Sequence, residues 1–528
     1  MIDWRLLRTS FLFVTLFVLG TPALDAQKEA RLPKAEKIIN DYLKAAGGRK
    51  RLAAVKDTIY QWNFKSNQSN EQKRGAQVRL LRPAAWRFDL QLQSFDGSSP
   101  ESISFATAET KATNGSSVWE RQSDGKLQTL TDAQGNAFRL QASLAATRLT
   151  DLKTQRIAAR TIGAAHVADE PVYIVEFTLR NGAAVQYFFG QKTKLPLKIN
   201  NQTLETSVCF GDYRSVDAIF EAYQMIDMCE AGGESARVYQ LQKITHNANL
   251  KIAEFDAPRG LENFDVASFL NDLTQNQEEI ERRVAEYTFT ETRTEREFDD
   301  QGAVKKETVK VYEVFPVLGQ SESVSKLISE NGVPLSPDRA AKELRRVTKE
   351  LEDAERKNEK KKAKPDESEK DAVETRNGIS SFLRASETIA PRREEFRGRD
   401  TIVFDFRPRP GFKPQTRQET IFSKLVGTAW VDPIEKRIIR VEMRFPEGFS
   451  AFGGLAKLRS GSAFLFEQTR MPDGVWLPRL AQVNLSAKAF FLAGFNVNYQ
   501  SEFSNYVKFD SKTKEYQLDK PKEVVNPQ

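Results

Sequence analysis

Side chains that commonly bind metals or act as nucleophiles are few in this sequence. The chain of 528 residues contains 2 His and 2 Cys. His166 and His246 lie outside any His-Glu-x-x-His pattern, so they offer no pair of imidazoles on one helix face for zinc. With so few imidazole and thiolate ligands we expect no metal site.

Motifs of known catalytic spacing are also missing. The sequence has no Gly-x-Ser-x-Gly elbow, no glycine-rich phosphate loop and no dinucleotide fingerprint. Ser323 and Lys326 match a Ser-x-x-Lys pattern by chance, because its companion motifs are lacking. Acidic residues are too numerous to single out an acid–base pair. We predict no catalytic residue and no enzyme. A Ser or Asp in a pocket beside His166 or His246 would support the alternative interpretation as a secreted hydrolase.

The two cysteines, Cys209 and Cys229, could form a local disulfide or stay as two buried thiols. Both interpretations stay open at this stage. In an oxidising compartment, a bridge that closes a loop of about 20 residues adds ~3 kcal/mol of stability. Neither interpretation is catalytic, because no Cys-x-x-Cys spacing occurs.

The first 26 residues have the pattern of an export signal. Arg5 and Arg8 precede an apolar stretch from Thr9 to Gly20, and a small residue, Ala26, offers a cleavage point before Gln27. The stretch is shorter than the ~20 apolar residues of a membrane anchor. We expect a signal peptide at 1–26 and a mature protein that is periplasmic, with secretion as the alternative, and not a lipoprotein.

The composition is typical of a soluble globular protein with more than one domain. Hydrophobic residues make up 40%, charged residues 29% and aromatic residues 10% of the chain. At ~150 residues per domain the length fits two or three domains. The net charge of +7 is small and spread along the chain, so we expect no nucleic-acid partner.

The first half begins with a helix and continues as antiparallel strands. Apolar residues recur at helical spacing over Leu32–Ala46, and Gly47-Gly48 ends that helix. Large apolar residues then alternate with polar ones, as expected of strands with one bulky aromatic face. After a helical stretch at about 136–152, Asn181-Gly182 predicts a hairpin with a two-residue turn, because both residues tolerate positive φ.

The second half repeats this order of a helix followed by strands. Expected domains are 27–260 and a second one formed by 261–335 and 379–510, with a tail at 511–528. A charged segment at 336–378 interrupts the second domain. It is predicted as a solvated helix that fades into a disordered loop, or as a partner-binding arm centred on Lys360-Lys361-Lys362.

Four features of the first half are similar to those of a known family. They are the opening helix with Gly47-Gly48, the strand with Trp62, the Asn114-Gly115 turn before Trp119, and the hairpin followed by Leu195-Pro196-Leu197-Lys198. Together they resemble the LolA-like lipoprotein-sorting proteins of the outer membrane, a family of half-barrels that includes LppX-like and RseB-like members. The resemblance covers about residues 33–258, and the second half suggests a tandem copy. It implies an α+β fold class: two antiparallel, strongly curved half-barrel sheets, each with helices covering the concave face.

The resemblance also implies an apolar cavity for acyl chains and the need for no cofactor. Ordinary core packing is the alternative for each candidate side chain, because a curled sheet can fill its own interior. The candidates are aromatic and aliphatic residues of the predicted strands: Trp62, Phe64, Trp86, Phe88, Leu90, Trp119, Tyr173, Phe177, Tyr187, Phe189, Phe404, Phe406 and Trp430.

The function that follows is a non-enzymatic periplasmic carrier of lipid or lipoprotein acyl chains. Its partners would be a lipid or lipidated protein, with transient contact to a membrane surface or an envelope protein. The alternative is a two-domain scaffold or stress-sensing protein of the cell envelope, in which both sheets are filled with side chains.

Overall fold

A computed structural model describes residues 32–65, 74–95, 103–229, 237–261, 264–272, 286–298, 304–316, 323–362, 381–451, 456–489 and 495–508. The predicted signal peptide at 1–26 and the tail at 511–528 lie outside these ranges. The strands form two antiparallel sheets, and the helices pack against their faces. The α+β fold class predicted from the sequence is thereby confirmed.

The first sheet follows the chain order except at one point. Its order is β6-β5-β4-β3-β2-β1-β13-β12-β11-β10-β9-β8-β7. The strands that come first and last in the sequence, β1 and β13, therefore pair at the centre of the sheet. Among the described strands, β6 and β7 are the two edges of this sheet and do not pair with each other. The strands are β1 Asp57–Lys65, β2 Arg74–Leu81, β3 Ala85–Phe95, β4 Ile103–Thr113, β5 Val118–Arg121, β6 Leu127–Thr129, β7 Ala158–Val167, β8 Glu170–Thr178, β9 Ala184–Gly190, β10 Pro196–Asn201, β11 Thr206–Val216, β12 Ile219–Asp227 and β13 Arg237–His246.

In the second sheet, too, the strands that come first and last in the sequence, β14 and β26, pair with each other. Its order is β17-β16-β15-β14-β26-β25-β24-β21-β20-β19-β18, and a small hairpin of β22 and β23 attaches to β25. The strands are β14 Tyr287–Phe298, β15 Val304–Pro316, β16 Ser323–Glu330, β17 Val333–Pro334, β18 Ser386–Phe396, β19 Arg399–Pro408, β20 Val426–Asp432, β21 Arg437–Arg444, β22 Phe449–Ala451, β23 Ala456–Leu458, β24 Ala463–Arg470, β25 Trp476–Ala489 and β26 Phe495–Lys508.

Helices cover one face of each sheet. In the first half these are α1 Ala35–Ala45, α2 Arg49–Ala54, α3 Asp132–Thr147 and α4 Leu152–Gln155. In the second half they are α5 at 266–272, α6 Pro337–Lys362, α7 at 381–385 and α8 Arg417–Phe422. The apolar side of α1 packs on β8 and β9, and α5 packs on β19 and β20, so each sheet has its own core.

Gly47 ends α1 because its position admits no side chain. Its φ is +125°, and a Cβ there would come within 2.4 Å of the carbonyl oxygen of Ala218. The backbone N–H of Phe220 donates to the carbonyl of Ala46 at 3.0 Å. The end of α1 is therefore fixed against the turn between β11 and β12.

The predicted hairpin is present as β8 and β9, but the two-residue turn expected at Asn181-Gly182 is wrong. Thr178 pairs with Ala184, and Leu179 donates to the carbonyl of Ala183 at 3.0 Å. Three residues thus form the loop, and among them only Gly182 has a positive φ, of +87°. A tight turn followed by one left-handed residue matches strand twist as well as the two-residue turn does.

The charged segment is a docked helix over Pro337–Lys362. Val347 and Leu351 are buried, and they pack against Phe315 of β15 and Val324 of β16. The predicted helix is present and mostly exposed, and one apolar stripe of it covers the second sheet. The segment after residue 362, predicted as a loop, lies outside the described residues. The side chains of Lys360, Lys361 and Lys362 lie outside the described part of the structure.

Polar side chains join the two sheets. The Ser117 hydroxyl donates to the Asp405 carboxylate at 2.7 Å, and the Thr129 hydroxyl donates to Glu394 at 2.7 Å. Arg392, which is fully buried, donates to Glu394 at 2.7 Å and to Thr129 at 2.7 Å. The contact between the sheets therefore includes a buried network of charged and hydroxyl groups beside an apolar cluster of Ala112, Trp119, Ile389 and Ala390.

Candidate functional site

An apolar cavity lies between the first sheet and its helices. Its volume is about 440 Å³, which is within the range of small-molecule pockets. α1 and α3 contribute Tyr42, Phe138 and Leu144 to its lining. The sheet contributes residues of β1, β2, β3 and β9 to β13, among them Val78, Leu80, Ile199, Val208, Phe210, Ala222, Met225 and Tyr239.

Aromatic contacts shape the wall formed by β1 and β3. Tyr60 stacks on Trp62 with ring centroids 6.2 Å apart, and Trp86 stacks on Phe88 at 6.2 Å. Phe138 of α3 meets Trp86 edge-on at 5.0 Å. These side chains alternate with polar residues along their strands, so the aromatic face predicted from the sequence is directed at α3.

Four predicted site residues line this cavity: Trp62, Trp86, Phe88 and Tyr187. Leu90 is buried in one cluster with Trp62, on the face of β3 that also carries Phe88. The side chain of Phe64 lies outside the described part of the chain. The role of these residues as ligand contacts stays a prediction.

The other candidates of the first half lie elsewhere. Phe177 and Phe189 are buried, and Tyr173 is half-buried, in the core between α1 and β8–β9. The indole N–H of Trp119 donates to the carbonyl of Phe255 at 3.0 Å, away from the cavity.

The candidates of the second half belong to packed clusters. Phe404 packs with the side of α5, and Phe406 meets Phe382 of α7 edge-on at 5.1 Å. Trp430 lies against Phe396 with ring centroids 5.7 Å apart. Each of the three is at most 2% exposed, which leaves little of their surface for a ligand.

Sequence reasoning missed a buried ion pair at one end of the apolar cavity. The Arg148 guanidinium lies 3.1 Å from Glu221 Oε1, and it also donates to the hydroxyl groups of Thr58 at 2.8 Å and Tyr60 at 3.1 Å. Tyr60 in turn donates to Glu221 Oε2 at 3.0 Å. Arg148 follows directly after α3, and no sequence pattern distinguishes it from a surface arginine.

Both partners of this pair stay charged. Burial would raise the pKa of Glu221, but Arg148 and the hydrogen bond from His246 together hold that pKa below its ordinary value. Burial would lower the pKa of Arg148, yet Tyr60 and Glu221 raise it above the ordinary value. The cavity therefore combines mainly apolar walls with a polar end formed by this neutralised, hydrogen-bonded pair, and Lys111 and Asp227 also line it.

His246 lies between two carboxylates beside this polar end. Its Nδ1 is 2.9 Å from Asp217 Oδ2, and its Nε2 is 3.0 Å from Glu221 Oε1. An Asp beside His246 is the feature that the alternative interpretation as a hydrolase requires. However, a general base needs a free nitrogen facing a nucleophile, and here a carboxylate holds each ring nitrogen. The arrangement orients Glu221 and offers no activated hydroxyl.

Cys209 and Cys229 are bonded to each other, with Cα atoms 5.9 Å apart. Cys209 lies on β11 between Val208 and Phe210, which both line the cavity. Since successive side chains of a strand point to opposite faces, the disulfide lies on the face away from the cavity.

Among the described residues, no group of three or more His, Cys, Asp and Glu is placed to hold a metal ion. Within the same ranges, no helix combines the length and apolar character that crossing a membrane requires.

Solved structures similar to this chain include LolA-like domains. A domain named for outer membrane lipoprotein sorting, from Vibrio parahaemolyticus, is 12% identical with a TM-score of 0.27, and covers 42% of this chain and 97% of its own. A LolA superfamily protein from Nitrosomonas europaea is 12% identical with a TM-score of 0.28, covering 43% and 99%. The likeness to LolA-like proteins predicted from the sequence is thereby confirmed.

A longer match is the complex of MucA and MucB from Pseudomonas aeruginosa, at 9% identity and a TM-score of 0.15, covering 88% of this chain and 93% of the other. No family model matches the sequence. No curated protein matches it either. Because the TM-scores and identities are this low, the likenesses carry no argument about function.

Proposed function

We propose that this protein is a periplasmic carrier that binds an acyl chain of a lipid or lipidated protein in the cavity of the first sheet. One observation carries the proposal, namely a cavity of about 440 Å³ walled by aromatic and aliphatic side chains. Burial of each acyl methylene contributes about 0.8 kcal/mol, so such a cavity retains a chain without hydrogen bonds to it. Cargo would be chosen by length and shape.

Trp62 of the cavity wall carries a hydrogen-bond donor. Its indole Nε1 is buried and has no acceptor among the described residues. A buried donor of this kind normally has a partner, because leaving it unpaired costs about 1–3 kcal/mol. An ester or amide carbonyl at the head of an acyl chain would supply that acceptor.

The domain organisation belongs to the same proposal. We propose that 27–260 and 261–510 form two domains of one kind, with 336–378 inserted into the second. The alternative function, an envelope scaffold or stress sensor with filled sheets, requires the interior of the first sheet to be occupied by its own side chains. The cavity favours the carrier over that alternative.

The direct test is mass spectrometry of lipids that co-purify with the protein after expression with its export signal. We expect bound acyl lipids in the wild type and their loss in Ala145→Phe, because Ala145 of α3 lines the cavity and a phenyl ring there would fill it. Ala133→Phe is the matched control, because Ala133 lies in the first turn of the same helix and is exposed. Protein that is free of lipid, and that fails to take up added fatty acid, would contradict the proposal.

A further inference from the structure

A second, polar cavity lies where the two sheets meet. Its volume is about 220 Å³, and α3 separates it from the apolar cavity. Asn136, Arg139 and Ser143 of α3 line the polar cavity, whereas Phe138 and Ala145 of the same helix line the apolar one. The two sets lie on different faces of the helix because residues spaced by three or four share a face.

Three residues that line this cavity carry a buried polar atom with no hydrogen-bond partner among the described residues. These atoms are Arg139 Nε, Ser143 Oγ and Arg444 Nε. All three groups can donate a hydrogen bond, and two of them belong to cations. Unpaired buried donors are rare in folded proteins, so three around one cavity indicate a missing acceptor.

The charges around the cavity are mainly positive. Six arginines and two carboxylates line it. Both carboxylates are engaged: Asp132 accepts from Arg440 at 2.8 Å, and Glu442 accepts from Arg440 at 2.7 Å and from Arg139 at 3.0 Å. Arg156 and Arg444 form no ion pair with any described carboxylate. Positive charge without a counterion is thus concentrated in a partly closed space.

We propose that this cavity is an oxyanion site for a phosphate group, bound by Arg139, Ser143, Arg156 and Arg444. This inference goes beyond the proposed function, because the site lies on the other side of α3 from the acyl cavity. Phosphate matches the donor set: its oxygens accept several hydrogen bonds at once, and guanidinium groups bind them in a planar, two-pronged geometry. A free phosphate and the headgroup of an anionic lipid present the same chemistry.

The acidities of the arginines agree with this geometry. Burial, together with nearby Arg139, lowers the pKa of Arg444 to about 9, against a smaller opposing effect of Glu442. Burial, with the charges of Arg180 and Arg459, lowers the pKa of Arg156 to about 10. A bound dianion would supply the opposite charge that these groups lack.

The test is isothermal titration of the full-length protein with inorganic phosphate, with sodium chloride of equal ionic strength as the reference. We expect saturable phosphate binding that weakens about tenfold or more in Arg156→Gln and in Arg444→Gln, because each loses charge-assisted hydrogen bonds. Arg160→Gln is the control for charge, since that side chain is 74% exposed and lies on β7. Ser143→Ala removes a donor with no change in charge and should also weaken binding.

Folding and binding can be told apart in these variants. Arg444→Gln removes a half-buried cation that forms no ion pair with a described carboxylate, so it should be at least as stable as the wild type in phosphate-free buffer. A second experiment measures binding of the protein to phosphatidylcholine vesicles with and without phosphatidylglycerol. Vesicle binding that requires phosphatidylglycerol and Arg444, with no binding of free phosphate, would identify a lipid headgroup as the source.

Two results would overturn the proposal. One is a wild-type protein that responds neither to phosphate nor to phosphatidylglycerol vesicles. The other is binding that persists unchanged in Arg156→Gln and Arg444→Gln. Neither result bears on acyl-chain binding, which the first cavity provides and which is measured separately.

Discussion

The guanidinium of Arg148 lies 3.1 Å from the carboxylate of Glu221 at the end of a mainly apolar cavity. Both side chains are at most 10% exposed, so neither charge is solvated by bulk water. Tyr60, Thr58 and His246 complete their hydrogen bonds. The pair closes one end of the cavity without leaving an unpaired charge for a ligand to neutralise.

Replacing Glu221 with Gln should strongly destabilise the protein. The substitution keeps the shape of the side chain but leaves the buried Arg148 without an anion, which costs about 3–5 kcal/mol. Glu176→Gln is the matched control, because Glu176 pairs with Arg160, a residue 74% exposed, and exposed pairs contribute at most about 1 kcal/mol. The free energy of unfolding, measured in urea, checks both. Equal losses in the two variants would contradict the role of the buried pair.

The contribution of Glu221 should depend on pH in the acidic range. The pKa of Glu221 in the folded protein is below its ordinary value of 4.5. Its stabilising effect is therefore complete above that value and is lost as the pH falls through the folded pKa. Urea unfolding of the wild type and Glu221→Gln at successive pH values should show a difference that is constant near neutrality and shrinks below about pH 4. A difference that grows in acid would have the wrong sign for this account.

Two serines test how strongly the sheets are joined. Ser117 donates to the fully buried Asp405 carboxylate at 2.7 Å, whereas Ser460 donates to the carbonyl of Thr154 at 2.8 Å in an exposed position. Ser117→Ala should cost about 1.5–3 kcal/mol, since the bond is to a charged group, and Ser460→Ala should cost much less. Calorimetric unfolding of both variants measures the contrast. A larger loss in Ser460→Ala would indicate that the buried network does not hold the sheets together.

Trp62→Phe should show how much of the ligand affinity comes from a hydrogen bond to a carbonyl group and how much comes from burial of the acyl chain. Phenylalanine keeps most of the apolar wall but removes the unpaired indole donor. Binding of a fatty-acid methyl ester should weaken about 3- to 10-fold, in line with one hydrogen bond of ~1 kcal/mol, while binding of an alkane of equal length should hardly change. Competition against a fluorescent fatty-acid probe gives both affinities. An equal effect on ester and alkane would assign Trp62 a packing role only.

The sequence could predict those parts of the fold that depend on local patterns. The helix of Ile38, Ile39, Tyr42 and Leu43 and the strands with Trp62 and Trp86 have regular apolar spacing, and their buried faces are the ones that the spacing predicts. The length of the loop at Gly182 could not be predicted from the sequence, because Asn-Gly also fits a three-residue loop with one left-handed residue.

The contact between the sheets could not be predicted in the same way. β18 was missed because Arg392 and Glu394 look like exposed residues of a polar segment, yet both are buried. Their burial depends on Thr129 and Asp405, which are distant in sequence. Arg148 and Arg444 are similar cases, since only tertiary structure places them in a cavity.

The most direct test of the acyl-carrier account is titration of the lipid-free protein with a fluorescent fatty acid. The account predicts saturable, one-site binding to the wild type and to Ala133→Phe, and at least a tenfold loss of affinity in Ala145→Phe, because the added ring occupies the cavity. Binding that is absent from the wild type, or equal in the wild type and Ala145→Phe, would contradict it.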